Sequence, residues 1–261
     1  MAGRIEDYAI VGDMQSAALV GADGSVDWLC LPRFDSEACF AALLGNTDHG
    51  HWLIAPADQL EGAGRATASR RYAGDTLILQ TRWETAGGVA QVTDFMPPRE
   101  DGDPPVLIRL VEGVRGTVDM SVRLTLRFGY GSIVPWVTKT KGGIRATAGP
   151  DSIWLRTPVN LAGRGLAHTA TFTVAAGQSV PFVLTYIPSH QGDPPHLNAS
   201  QSLAETRKFW DEWVSRCTYQ GSYRDAVIRS LITLKALTYR PTGGIVAAAT
   251  TSLPEDIGGV R

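Results

Sequence analysis

Between residues 118 and 128 apolar and polar side chains alternate. Val118, Met120, Val122, Leu124, Leu126 and Phe128 fall on one side, and Asp119, Ser121, Arg123, Thr125 and Arg127 on the other. A period of two puts the apolar set on one face of a β-strand, the other face being left polar. Short runs of the same kind recur from residue 52 to residue 188. Segments 76–84 and 89–95 are joined by Thr85-Ala86-Gly87-Gly88, a hairpin signal, and further strands are predicted over 106–112, 144–147, 152–157, 169–174 and 181–187. Upstream, residues 8–12 read as an extended entry, and Asp23-Gly24 between 17–20 and 25–30 predicts a tight hairpin. Residues 31–36 form a loop in which Pro32 opposes further central pairing, and a short helix is predicted over 37–44, closed by Gly45-Asn46. Roughly a dozen short strands without intervening helices predict a mainly β fold, a large antiparallel β-sandwich and not a parallel sheet.

The pattern changes at residues 189–198, where Gln191-Gly192-Asp193-Pro194-Pro195 reads as a turn or linker. Two helices follow. The first carries Leu203, Phe209, Trp210, Trp213, Val214 and Cys217 on one face, with Ser202 and Glu205 spaced as a capping box. The second is predicted over 223–239, capped by Ser222 and ended by Pro241 and Gly243-Gly244. Its apolar residues Val227, Ile228, Leu231, Leu234, Ala236 and Leu237 cover more than one stripe, so packing on two sides is expected. The organisation read from this is a sandwich over 1–197, a linker helix over 198–220, and the start of another domain over 221–261.

Charge narrows the function classes. A formal net charge of −2 gives no electrostatic reason to expect nucleic acid or an anionic membrane as a partner. No apolar window is long enough to span a bilayer, and the first residues lack a signal-peptide core. Cys30, Cys39 and Cys217 are an odd set without metal-binding spacing, which fits reduced thiols in a cytoplasm.

Most catalytic chemistries lack their residues. His49 and His51, and His190 and His196, have no convergent third ligand in the sequence, so no metal site is expected. No Gly-x-Ser-x-Gly elbow or phosphate-cradling loop is present, no basic pattern activates Cys30 or Cys39, and no cofactor is expected. Phe209, Trp210 and Trp213 could stack on a sugar, but helical spacing favours a role in docking the helix. Trp28, Arg33, Phe34 and Asp35 combine a large ring, a cation and a carboxylate on a Pro-fixed loop. They are a candidate pocket wall, against the competing reading of a structural turn with an Arg–Asp pair. At the far end, Pro254 and Gly258-Gly259 frame Glu255 and Asp256 in a stretch with loop chemistry. Neighbouring residues diverge, so these two carboxylates do not make an acid–base pair. An inverting glycosidase needs two carboxyls facing each other roughly 6.5–9.5 Å apart.

Several stretches resemble one family. Ile5-Glu6-Asp7-Tyr8-Ala9-Ile10-Val11-Gly12-Asp13, Asp23-Gly24-Ser25-Val26-Asp27-Trp28-Leu29-Cys30-Leu31-Pro32-Arg33-Phe34-Asp35-Ser36, Thr93-Asp94-Phe95-Met96-Pro97, Leu234-Lys235-Ala236-Leu237-Thr238-Tyr239 and Thr251-Ser252-Leu253-Pro254-Glu255 are similar to bacterial glycoside hydrolase family 15 proteins, the glucoamylase and trehalase-like enzymes. The resemblance implies an N-terminal sandwich, a linker helix and the first helix of an (α/α)6 barrel whose remainder, with both catalytic glutamates, lies further on. It implies hydrolysis of a terminal α-linked glucose in maltooligosaccharide or trehalose with inversion, and an inactive 261-residue segment. Its partners would be its own C-terminal barrel and, in the whole enzyme, carbohydrate. Ser252, Pro254 and Glu255 match positions at the barrel mouth and carry a pocket-edge role. Two other classes remain open on the same residues: a freestanding carbohydrate-binding or protein-interaction module, and the sandwich of a glycoside phosphorylase.

Overall fold

The computed structural model describes residues 3–60 and 66–253. Its strands, in chain order, are β1 (Ala9–Gly12), β2 (Ala17–Val20), β3 (Ser25–Cys30), β4 (Ala38–Phe40), β5 (His51–Pro56), β6 (Thr67–Tyr72), β7 (Leu79–Glu84), β8 (Gly88–Phe95), β9 (Val106–Thr125), β10 (Trp136–Thr140), β11 (Gly143–Ala148), β12 (Asp151–Arg156), β13 (Ala162–Arg164), β14 (Ala167–Ala175) and β15 (Ser179–Pro188). Three α-helices are present among the described residues, α1 (Ala57–Leu60), α2 (Ala199–Val214) and α3 (Arg224–Ala236). None of them is long and apolar enough to cross a membrane.

The predicted strands 106–112 and 118–128 are one element. Strand β9 runs for 20 residues and belongs to two sheets. Its first half pairs with β8 and β15, and its second half with β5 and β14, all antiparallel. One layer therefore reads β6-β7-β8-β9-β15-β12-β11-β10, and the other β1-β2-β3-β5-β9-β14-β13 with β4 beside β3. The crossing is made by glycine. A Cβ on Gly113 would stand 2.1 Å from the Ala175 carbonyl oxygen and one on Gly116 2.3 Å from that of Gly87, so a side chain at either position would block the bend. Both layers contribute to one core, with Val26, Trp52 and Ile54 from the first hairpin side meeting Trp83, Val111 and Leu184. The antiparallel sandwich read from the alternation is the observed fold.

One ion pair ties the layers together. Arg109 on β9 holds Asp94 on β8 at 2.8 Å with neither side chain exposed. It also donates to the carbonyls of Trp52 (2.8 Å) and Gly24 (2.6 Å) on the facing layer, and lies 5.1 Å over the Trp52 ring. A buried guanidinium is tolerable only when well bonded, and here four bonds engage all three of its nitrogens.

Three local expectations need correction. Residues 37–44 are not a helix: Ala38 and Phe40 pair with Cys30 and Leu29 on β3, and only Ala42–Leu44 make a 3-10 turn. The run Ala38-Cys39-Phe40 is buried throughout, so a continuous apolar run was misread as a helix face. Helix α2 is capped by Asn198, whose side chain accepts from the backbone N–H groups of Ser200 and Gln201 at 3.1 Å. Ser202 lies buried inside the helix. Helix α3 starts at Arg224 without a side-chain cap, so Ser222 plays no such part. The helix ends at Ala236 because Thr238–Tyr239 pair with Gly244–Ile245.

The two helices pack together on the rim of the sandwich. Trp210 and Val214 of α2 meet Ile228, Ile232 and Ala236 of α3 over Leu77. Trp210 is thus a core residue, and Trp213 lies between Arg216 and Lys235, 5.6 and 4.8 Å from its ring. Arg229 anchors α3 by lying 4.1 Å over the Tyr72 ring and donating to the Thr76 carbonyl. Among the described residues α3 buries one stripe. Leu234, on its other side, is half exposed.

Candidate functional site

After α3 the chain turns back across β2 and β3, and this return segment meets the loop that the sequence singled out. The β2–β3 hairpin is closed by Asp23, whose carboxylate accepts from the N–H and hydroxyl of Ser25. The hairpin presents Trp28, which has no exposed surface and donates its indole N–H to the Ala249 carbonyl at 2.9 Å. Phe34 is also buried and packs with Ala17 and Ala249, flanked by Tyr239 and Val246. Trp28 and Phe34 therefore form the floor beneath the return segment.

Arg33 and Asp35 point the other way. Their side chains, 51% and 61% exposed, make a two-bond fork, Nε to Oδ1 at 2.9 Å and Nη2 to Oδ2 at 2.8 Å. The Arg33 guanidinium lies 5.1 Å over the Tyr239 ring, and its hydrogen bonds hold the Asp35 carboxyl below the usual carboxylate range. The base of the loop is pinned by Phe34 N–H to Gln15 O (2.8 Å), Arg33 N–H to the Ser36 hydroxyl (3.1 Å) and Arg99 to Pro32 O (2.9 Å). Pro32 separates two open clefts. One, of about 400 Å³, runs between this loop and residues 128–133 and is lined by Ser36, Glu37, Phe128 and Ile133. The other, of about 420 Å³, is lined by Arg99, Tyr186 and a series of prolines.

A buried polar node lies behind the loop. Asp13 faces Arg99 at 3.4 Å with side chains 0% and 5% exposed, and its carboxylate accepts from the N–H groups of Gln15 and Ser16. Arg240 joins this node from the return segment. Its N–H donates to Met14 O (2.8 Å), and its guanidinium donates to Arg99 O (3.0 Å) and Glu100 (2.5 Å). Met14 itself sits at φ 66, a left-handed conformation held by the bonds on either side of it.

Ser252 lies at the end of the described return segment. Its carbonyl accepts from the Tyr130 hydroxyl at 3.2 Å, and its hydroxyl is 3.3 Å from Cys30 Sγ. The other two expected pocket-edge residues, Pro254 and Glu255, lie outside the described residues. Tyr130 is the residue that sequence reasoning missed. It is carried by Gly129-Tyr130-Gly131, and an aromatic between two glycines outside any strand pattern was the available signal. Its ring stands 6.2 Å from that of Trp28, so the two aromatics form one surface.

Two thiols and four carboxylates near the site can be accounted for. Burial pushes the Cys30 thiol up to about 11 and Cys39 well above the normal range, which leaves neither as a thiolate at neutral pH. Asp27 accepts from Tyr8 and is bonded to His51, both at 2.8 Å. Burial alone would raise its pKa, but the hydrogen bonds from His51 and Tyr8 outweigh it and hold the carboxyl below its ordinary value. His49 is bonded locally, its ring accepting from Asn46 N–H at 3.2 Å. Asp13, Asp27, Asp35 and Asp94 each have a cationic or hydrogen-bonding partner, so this surface can bind and orient but holds no free acid–base couple among these four.

Comparison with known proteins agrees with this arrangement. Residues 1–210 match the family model described as trehalase-like, N-terminal. Across 99% of its length the chain is 31% identical to a trehalase of Thermoplasma volcanium, and across 98% it is 30% identical to a trehalase of Mycobacterium tuberculosis. It spans 41% of the length of each of these relatives. Among solved structures, a bacterial glucoamylase complexed with acarbose superposes with a TM-score of 0.55 at 10% identity, over 95% of this chain and 43% of that one, a likeness of fold. The sandwich built around β9, its rim helices and the match over residues 1–210 together lead to one conclusion: the chain belongs to the trehalase-like N-terminal domain family.

Proposed function

We propose that this chain is the N-terminal module of a longer, cytoplasmic, inverting α-glucoside hydrolase of the glycoside hydrolase family 15 type, with trehalose as substrate. In this reading residues 1–197 are a scaffold, 198–220 a linker, and 221–261 the start of a catalytic (α/α)6 barrel. The observation that carries it is the return segment itself. Trp28, Tyr130 and the Arg240 node lay residues 237–253 against the loop of Arg33 and Asp35, which brings Ser252 onto Cys30 and Tyr130. The trehalase relatives, of which this chain spans 41%, favour trehalose over maltooligosaccharide.

The division of labour follows from the chemistry. Inversion requires one carboxyl as general acid and a second, roughly 6.5–9.5 Å away, as general base for water. Asp35, Asp13, Asp94 and Asp27 are each bonded to a cationic or imidazole partner, Arg33, Arg99, Arg109 and His51, and in this reading the reacting pair is assigned to the part of the enzyme that follows. This module supplies a rigid floor, and Arg33 and Asp35 form an exposed polar lip suited to sugar hydroxyls or to the barrel surface. Its partners are then the barrel and, through it, carbohydrate.

The test compares the complete open reading frame with residues 1–261 for glucose release from trehalose and from maltotriose. Activity in the complete protein, higher on trehalose, with none in the segment, is the expected result. Activity in the segment alone would mean that two of its own carboxylates converge and would overturn the assignment. Phosphate-dependent release of glucose 1-phosphate would instead make the enzyme a phosphorylase.

A further inference from the structure

We infer that Tyr130 is a positioning residue for the substrate pocket, acting through the main chain of residues 249–253; this rests on the hydrolase reading above. Residues 248–253 form two successive turns, with Thr251 N–H bonded to Ala248 O (3.2 Å) and Leu253 N–H to Thr250 O (2.9 Å). The carbonyls of Ala249 and Ser252 lie outside those turn bonds. Each is taken by an aromatic donor of the sandwich, Ala249 by the Trp28 indole and Ser252 by the Tyr130 phenol. The segment is thus held at two points three residues apart, and the second point is Ser252, the described member of the expected pocket-edge set.

The loop around Tyr130 fixes where its ring stands. Phe128 and Ile133 exchange both backbone bonds at 3.0 Å, closing its base. Inside it, Gly129, Tyr130 and Gly131 have φ values of 57, 56 and 102. A left-handed tyrosine is uncommon and costs conformational energy, which marks a position that the surroundings over-determine. The surroundings are tight. A Cβ on Gly131 would stand 2.8 Å from His49 Cα, and one on Gly129 2.7 Å from the Ser132 hydroxyl. With the backbone held so, the ring lies against Trp28 with its hydroxyl on Ser252. A role confined to core packing would not need the hydroxyl, because Trp28 is already buried among Cys30, Ala38 and Ala41.

The experiment uses the complete open reading frame and Tyr130→Phe, which keeps the ring and removes the donor, alongside Tyr130→Ala. Steady-state kinetics on trehalose and hydrogen exchange over residues 248–253 are read in parallel. Tyr130→Phe should raise KM about fivefold with kcat within about twofold, the size of one neutral hydrogen bond. Exchange should speed about fivefold in residues 249–253 with the sandwich strands unchanged. Tyr130→Ala should give larger changes in the same two readouts, and Tyr130→Phe should recover part of them. Unchanged KM and unchanged local exchange in Tyr130→Phe would overturn the proposal. So would exchange that accelerates across the whole sandwich while KM stays constant, since that is a stability effect. If the complete protein cleaves no α-glucoside, the hydrolase reading fails, and the local exchange still reports whether Tyr130 holds the segment.

Discussion

Two arginine–aspartate pairs in this molecule have nearly the same contact geometry and opposite surroundings. Arg109 and Asp94 meet at 2.8 Å between the two sheets with both side chains fully buried; Arg33 and Asp35 meet at 2.8 Å with both more than half exposed. In the first pair the guanidinium is consumed by the fold, since its remaining donors close the carbonyls of Gly24 and Trp52 across the core. In the second, the pair stands over Tyr239 with solvent on its open side. The same two residue types are therefore a cross-brace in one place and a solvent-exposed surface pair in the other. Burial, not contact distance, separates the roles. Breaking a buried pair strands a charge, whereas an exposed pair is screened and replaceable by water.

That contrast can be broken from the buried side first. Arg109→Ala or Asp94→Ala should destabilise the fold by about 3–5 kcal/mol, because each leaves the partner charged and unpaired in the core. Chemical denaturation of each variant against the parent measures it, and a loss under about 1 kcal/mol would mean that water reaches this pair. Next in size is Trp28→Phe, which keeps an aromatic floor but leaves the Ala249 carbonyl without its donor. A cost of about 1–3 kcal/mol is expected, concentrated in exchange of the return segment and not of β9.

The pH dependence gives a third, smaller effect. The Asp27 carboxyl is held below its ordinary value in the folded chain, by His51 and Tyr8 against the opposing effect of burial. Its contribution is complete above the unfolded pKa of about 4 and is lost as pH falls through the lower folded value. Asp27→Asn should flatten the acid limb of a stability–pH curve below about pH 4. Unchanged acid unfolding would place the linkage on other carboxylates. Smallest in stability, Arg33→Ala and Asp35→Ala should each cost under about 1 kcal/mol in thermal melts. Under the proposed hydrolase reading, the same changes in the complete protein should alter KM or kcat. Unaltered kinetics and melting would reduce the exposed pair to a surface ornament of the turn and remove it from the pocket wall.

The sandwich was legible because strand alternation is a local property. The alternation oriented the stretch from Val118 to Leu124, but the strand stops at Thr125, and Thr125 and Arg127 of the expected polar face are buried; Asp23-Gly24 was enough to place its hairpin. Where a run is buried on both faces the local signal vanishes, which is why Ala38-Cys39-Phe40 was read as helix. The continuity of β9 was also hidden, because Gly113 and Gly116 look like turn residues until a second sheet is there to be crossed into. The candidate site divides in the same manner. Arg33 and Asp35 could be paired from a spacing of two residues. Tyr130 reaches Ser252 across 122 positions, and no local pattern announces such a contact.

Taken alone, then, the sequence determined the layer architecture, the turn chemistry, the absence of a nucleophile elbow and the resemblance of its motifs to a hydrolase family, all of which rest on neighbours in the chain. Tertiary structure decided which arginine became a buried brace and which stayed exposed, and it brought Trp28, Tyr130 and Ser252 together. Those outcomes depend on which side chains lose their water, and desolvation is set by residues that meet only once the chain has closed on itself.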